Sequence, residues 1–196
     1  MKSLFNSSQI TPSFQKKCFR NFKYEDRPQI IQDAYHCALA YYQNFYEIKN
    51  TEQNSIALLG EPGSGKTHLL MSVANNLIKK GIPVLYFPWV EGFNELKDDF
   101  NLLNEKIKHL SGAPVLFIDD LFKGGDKPTT FELKQLYALI NYRYLNNLPF
   151  LISCELTIDE INRIDKAIGS RIYERCKDYL VILKDDQEQL NYRLID

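Results

Sequence analysis

The stretch GEPGSGKTHLL at residues 60–70 constrains this chain more than any other feature, because it lies between the apolar run SIALL and the helix-like run MSVANNLI. Its spacing, Gly60, Gly65, Lys66, Thr67, fits G-x-x-x-x-G-K-[ST]. In that loop backbone N–H groups surround a β-phosphate while the lysine reaches the β and γ oxygens. Gly60, Gly63 and Gly65 allow tight turning and close approach without a Cβ. Lys66 supplies counter-charge, the Thr67 hydroxyl is placed to ligate Mg²⁺, and a helix starting near Lys66 points its N-terminal dipole at the anion. Glu61, Pro62, Ser64 and His68 complete the candidate loop for ATP or ADP. A glycine turn that binds nothing is the alternative. The strand-like run at 55–59 and the helical spacing of Leu69, Leu70, Val73, Ala74, Leu77 and Ile78 argue against it.

With 196 residues and 44% hydrophobic content, the chain can build one sizeable core with a small appendage, and two full motor domains do not fit. A net charge of −1 gives no global attraction to a polyanion, so any nucleic-acid contact requires a local patch. The four cysteines, Cys18, Cys37, Cys154 and Cys176, are scattered and show no metal-ligand spacing, which suits reduced thiols. No apolar run approaches membrane-spanning length, and the start MKSLFNSSQITPSFQ lacks the apolar region of a secretory signal. These features predict a soluble cytoplasmic protein without a membrane partner.

Residues 1–27 are polar and irregular, with spaced aromatics at Phe14, Phe19, Phe22 and Tyr24, and read as an extended lead-in or linker. The domain proper is expected over 28–196. Pro28 starts a helix whose apolar positions are Ile31, Ala34, Tyr35, Ala38, Tyr41, Phe45 and Ile48. Strands are expected at 55–59, 84–89, 115–119, 149–154 and 179–183, and helices near 66–80, 91–110, 130–147 and 157–175. Thr129–Glu132 and Thr157–Glu160 are capping boxes that announce two of these helices. Short apolar strands alternating with amphipathic helices define an α/β fold with a parallel sheet covered on both faces.

The run VLFIDDLF ends four apolar residues in Asp119 and Asp120, which places both carboxylates at the C-terminal end of a buried strand, where open α/β sheets bind ligands. As a Walker B element, Asp119 would hold Mg²⁺ and Asp120 would orient or deprotonate the attacking water. A helix cap or solvated turn is the bland alternative. In IGSRIYERC, Arg171 and Arg175 are four apart on one helical face. They are either surface charges beside Glu174 and Asp178, or arginine fingers given in trans to a neighbouring γ-phosphate.

Taken together, the spaced phenylalanines, GEPGSGKTHL, VLFIDDLF, PFLISCELT and SRIYERC with the late Tyr192-Arg193 resemble the AAA+ domain of DnaC/DnaI-type bacterial replicative helicase loaders, over about residues 10–196. Phage and prophage loaders, initiator-type ATPases and transposition ATP-binding subunits are similar too. The resemblance implies a three-layer αβα P-loop NTPase with an AAA+ core, a five-stranded parallel sheet in the order 5-1-4-3-2 and little or no C-terminal lid. It implies an ATPase that works as a nucleotide switch on a hexameric replicative helicase and associates with itself through the ATP site. On that reading Arg175 matches the finger better than Arg171. The stretch VEGFNELKDDFNLLNEKIKHL would carry the insertion that such loaders use near single-stranded DNA, although Phe93, Leu96, Phe100 and Leu103 at helical spacing are more often core than a platform for DNA.

Three departures stand out. The fourth strand of the loaders usually ends in a polar pair and Asn that senses the γ-phosphate, whereas SCEL puts Glu155 there, and a carboxylate repels a triphosphate unless protonated or paired. Thirteen residues follow the last strand, which makes Arg193 a poor second sensor. The loaders also carry a helicase-binding region ahead of the segment with which this chain begins. Besides a loader ATPase, a P-loop kinase or GTPase is disfavoured by the lack of an N-K-x-D motif, and a weakly hydrolysing or non-hydrolysing nucleotide-dependent adaptor is favoured by Glu155.

Overall fold

Five short strands rich in Leu, Ile, Val and Phe cannot each cover two apolar faces alone, so they assemble into one sheet sandwiched by helices. The computed structural model of the chain describes residues 2–94, 100–124, 127–184 and 190–192, without the side chains of 94 and 100–104. Its strands are β1 (Ile56–Gly60), β2 (Val84–Pro88), β3 (Val115–Leu121), β4 (Phe150–Cys154) and β5 (Leu180–Leu183). They lie in the order β2-β3-β4-β1-β5, and all four pairings are parallel. This is the expected order 5-1-4-3-2 read from the opposite edge.

The helices are α1 (Lys2–Ser7), α2 (Gln29–Ile48), α3 (Lys66–Lys79), α4 (Trp89–Asn94), α5 (Phe100–Gly112), α6 (Thr130–Leu145), α7 (Ile158–Ile164) and α8 (Lys166–Cys176). The two-residue period of the strands divides them between the faces of the sheet. Ile56, Leu58, Tyr86, Phe117 and Leu151 pack with α2 and α3, whereas Ala57, Leu59, Phe87, Ile118 and Ile152 pack with α4 to α8. Each fully buried side chain of this size stabilises the fold by about 1.5–3 kcal/mol. No helix among the described residues is long and apolar enough to cross a membrane. All four cysteines are free, and burial pushes the Cys154 thiol up to about 12.

Three expectations change. The helix expected over 157–175 is two helices, because Asp165 leaves helical geometry and its carboxylate accepts the N–H groups of Ala167 and Ile168 as the cap of α8. The helix expected near 91–110 corresponds to α4 and α5, with residues 95–99 between them, including Leu96, outside the described residues. Phe93 is core, packed on Phe87 and Trp89, while the side chains of Phe100 and Leu103 lie outside the described residues. Lastly, the lead-in is not extended. It forms α1 and 3-10 turns at Phe14–Lys16 and Phe19–Asn21, and Ile10 and Phe22 are buried against α2 and α3. The Ser8 carbonyl accepts the Tyr86 N–H at 2.9 Å, which partly covers the outer edge of β2.

Arg143 of α6 is fully buried, and it joins α6 to the end of α5 and to the residues just before β3 and β4. Its guanidinium donates to the carbonyls of Leu110, Ser111 and Ala113 at 3.0, 3.0 and 2.8 Å and to Pro149 at 2.6 Å. Burial lowers its pKa, and four carbonyl dipoles oppose that loss of charge. Arg143→Met would strand those carbonyls without a donor and should lower unfolding stability by at least about 3 kcal/mol. An unchanged urea midpoint would show that the carbonyls find other partners.

Candidate nucleotide site

The loop from Gly60 to Thr67 joins β1 to α3 at the C-terminal edge of the sheet. Gly60 and Gly65 have φ of +112° and +94°, the left-handed region that favours glycine. A Cβ at Gly60 would strike the Leu183 carbonyl of β5, and one at Gly65 would strike the Phe22 ring. The loop is also tied from within, since the Ser64 hydroxyl donates to the Glu61 carbonyl at 2.7 Å and the Glu61 N–H to Leu183 at 2.8 Å. Lys66 lies buried under this arch, its ammonium donating to the carbonyls of Gly60 and Glu61 at 2.7 and 2.6 Å. Burial holds its pKa below the usual lysine value, against the pull of Glu155 and Asp120. A phosphate would restore a counter-charge to this ammonium, so the cradle suits an anion.

Across the cleft β3 delivers its two carboxylates differently. Asp119 is buried and accepts from Thr67 Oγ1 at 2.8 Å, Ser153 Oγ at 2.5 Å and Tyr86 Oη at 2.9 Å. Burial raises its pKa, and the bonds from Ser153 and Thr67 oppose that rise. Thr67 and Asp119 are thus adjacent oxygen donors, the hard ligands that Mg²⁺ takes. Asp120 should point to the opposite face of a regular strand. Instead the β3–β4 register shifts between Ile118 and Leu121, Asp120 adopts a φ of +54°, and its N–H donates to Ser153 Oγ at 2.8 Å. This bulge turns the second carboxylate into the same cleft.

A cavity of about 540 Å³ runs from these carboxylates over the loop to the lead-in, where Phe14, Asn21, Phe22, Lys23 and Tyr192 form its wall. His68 anchors that wall, its Nε2 lying 2.9 Å from Asn21 Oδ1 and 3.2 Å from the Cys18 carbonyl. Phe22 packs against both His68 and Tyr192. The Tyr192 N–H donates to the Gly63 carbonyl at 2.9 Å, its hydroxyl donates to the Lys23 carbonyl, and the Arg27 guanidinium lies 3.9 Å above its ring. Residues 22–27 of the lead-in and Tyr192 thus meet over the phosphate loop.

The model of the IstB-like ATP binding protein family matches residues 5–186. The chain belongs to that family. Among relatives of this IstB-like chain, the phage-like element PBSX protein XkdC of Bacillus subtilis is 50% identical over 99% of this chain and 74% of its own length. The B. subtilis protein YqaM is 52% identical over 98% of this chain, which spans only 63% of YqaM. The replicative helicase loader DnaC of Escherichia coli is 26% identical over 90% of this chain and 69% of its own. Among solved structures, DnaI superimposes with a TM-score of 0.75 at 22% identity, covering 90% of this chain and 95% of that one. The fold is that of AAA+ P-loop proteins.

Within this IstB-like fold the remaining candidate residues separate. Glu155, just past β4, lines the cavity, and its Oε1 lies 2.9 Å from Lys123 Nζ. Arg193 lies outside the described residues. Arg175 corrects an expectation. Its guanidinium donates to the carbonyls of Glu52 at 2.8 Å and Thr51 at 3.4 Å, to Asn147 Oδ1 at 2.7 Å and to the Tyr144 carbonyl, and only 3% of the residue is exposed. Its own carbonyl accepts from Ser55, at the start of β1. That is the end of the sheet away from the phosphate loop, roughly 16 Å off at about 3.3 Å per strand residue. A guanidinium so held is a structural tie. Arg171 is half-buried, bonded to Asn141 Oδ1 at 3.0 Å and the Ala167 carbonyl at 2.9 Å, and stacked near Tyr137 and Tyr144.

Sequence reasoning missed Ser153, Lys123 and Tyr86, and took Tyr192 only as part of a family motif. The signal for Ser153 was present, since a lone serine in PFLISC sits where a buried strand should be apolar. Two measurements check the site. Lys66→Ala should abolish ATP binding in titration calorimetry, because the phosphates lose their buried counter-charge. Arg175→Ala should lower unfolding stability by about 1–3 kcal/mol, as expected when enclosed acceptors lose their donor, and an unshifted unfolding midpoint would return it to a mobile role.

Proposed function

We propose that this chain is a loader-type AAA+ ATPase that takes Mg²⁺ and ATP and acts as a nucleotide switch in placing a hexameric replicative helicase on DNA in the cytoplasm. The observation that carries the catalytic half is the convergence of Lys66, Thr67, Asp119 and Asp120 on one cleft at the C-terminal edge of the sheet. Lys66 neutralises the phosphates, Thr67 and Asp119 hold Mg²⁺, and Asp120 orients the attacking water. The helicase half rests on the likeness to the loader DnaC along 90% of this chain. Arg171 is the arginine that serves a neighbouring subunit's γ-phosphate, which makes self-association through the ATP site part of the reading. Single-stranded DNA is a second partner of the assembled form.

A second reading, a nucleotide-dependent adaptor that hydrolyses weakly, is favoured by the ion pair of 3.0 Å that engages Asp120 with Lys123. Steady-state turnover with and without single-stranded DNA separates the two, and co-purification with the host's replicative helicase in ATP against ADP tests the partner. Failure of the chain to be retained on the helicase in either nucleotide would refute the loader reading. Asp120→Asn should keep ATP bound and stop turnover, because only water activation is lost. Equal loss of ATP affinity would make Asp120 a principal metal ligand instead. Mixing Arg171→Ala with Lys66→Ala, each inactive alone, should restore turnover at interfaces that pair an intact loop with an intact arginine. A mixture that stays inactive while wild type assembles and hydrolyses would remove Arg171 from that role.

A further inference from the structure

Glu155 places a carboxylate beside Asp120 at the mouth of a cleft built for a polyanion, and like charges there repel both each other and a triphosphate. Lys123 answers this. Its ammonium lies 3.0 Å from Asp120 Oδ2 and 2.9 Å from Glu155 Oε1, and the three side chains are exposed to similar extents, 39%, 36% and 35%. All three line the same cavity as Lys66.

The backbone is bent to put the lysine there. Asp120, Phe122 and Gly124 have φ of +54°, +64° and +103°, so two side-chain-bearing residues in three sit in the left-handed region. Such strain persists only where the surroundings over-determine it. Here the Lys123 N–H donates to the Asp120 carbonyl at 3.0 Å, the Cys154 thiol donates to the Leu121 carbonyl at 3.0 Å, and the Phe122 ring packs on Trp89. The turn is anchored to β4 and α4, and Lys123 leaves it toward the end of β4.

We propose that Lys123 is the residue that distinguishes ATP from ADP in this cleft, held between Asp120 and Glu155 until a γ-phosphoryl group competes for its ammonium. The inference rests on the cleft binding nucleotide phosphates as proposed above. Half-exposed carboxylate pairs hold a lysine weakly, whereas a phosphoryl group offers more charge and three acceptor oxygens. ADP lacks that group and leaves the ion pairs intact. Withdrawal of Lys123 from Asp120 frees the carboxylate that water activation needs, so recognition of the triphosphate and readiness to hydrolyse are coupled in one side chain. Glu155 in turn is the brake, since it keeps a second hold on the same ammonium.

The test compares the full chain with Lys123→Met, Lys123→Arg and Glu155→Gln. Affinities for ATP and for ADP, each with Mg²⁺, are read by displacement of a fluorescent ADP analogue, with kcat and KM alongside. Lys123→Met should weaken ATP by about tenfold or more, the loss of one charge-assisted contact, and leave ADP within about twofold. Lys123→Arg should keep most of the ATP preference, and Glu155→Gln should strengthen ATP binding. Equal weakening of both nucleotides in Lys123→Met, or no weakening of either, would overturn the proposal. Wild-type protein that binds ATP without turning it over would instead refute the hydrolytic reading, and the ATP-to-ADP ratio would still decide the role of Lys123.

Discussion

Asp119 is a buried carboxylate whose three donors come from three different elements: Thr67 from α3, Tyr86 from β2 and Ser153 from β4. Unpaired in that position it would be among the costliest groups in the protein. Satisfied, it ties the phosphate-loop helix to the sheet, and it makes the spacing of β2, β3 and β4 a condition for the site. Burial raises its pKa while all three of these bonds, from Ser153, Thr67 and Tyr86, act in the opposite direction. A cation placed between Thr67 and Asp119 would favour the charged form further, so metal and carboxylate stabilise one another.

The same edge of the sheet explains why the lead-in and residues 190–192 belong to the site. Strand β5 lies next to β1, and its Leu183 carbonyl holds the Glu61 N–H. Residues after it return over the loop at Leu190–Tyr192, where Arg27 donates to the Leu190 carbonyl at 3.0 Å and Tyr192 packs on Phe22. The lead-in is fastened from below, because Asn75 of α3 donates to the carbonyls of Phe14 and Lys17 at 2.9 and 2.8 Å. A wall made of Phe22, Tyr192 and backbone carbonyls suits a flat ring with polar edges, while the deep end suits phosphates. Movement of either wall would change access to both.

Much of this was legible in one dimension. The short apolar runs of the strands, the capping boxes at Thr129 and Thr157 and the glycines of the loop are local signals, and each appears where expected. Errors arose where a local pattern served two structures. Asp165 reads as one more polar residue on a helix face, yet it caps a new helix. The lead-in reads as a linker because its aromatics have no period. Its order comes from contacts with α2, which follows it, and with α3, which is distant in sequence. Arg171 and Arg175 share a helical face and equal chemistry, but only one is enclosed by the loop at Thr51 and Glu52 and the end of α6.

The sequence alone determined the fold class, the sheet order by resemblance, and which residues line the candidate cleft, because the loop is one contiguous stretch of backbone and the two carboxylates are neighbours at the end of one strand. Tertiary structure decided the fate of isolated charges. Arg143 and Arg175 became internal ties because carbonyls from separate helix ends and loops converge on them. Glu155 became one side of an ion pair because a strained turn after β3 brings Lys123 to the end of β4. A charged side chain takes its meaning from what surrounds it after folding, and those surroundings come from parts of the chain that spacing does not relate.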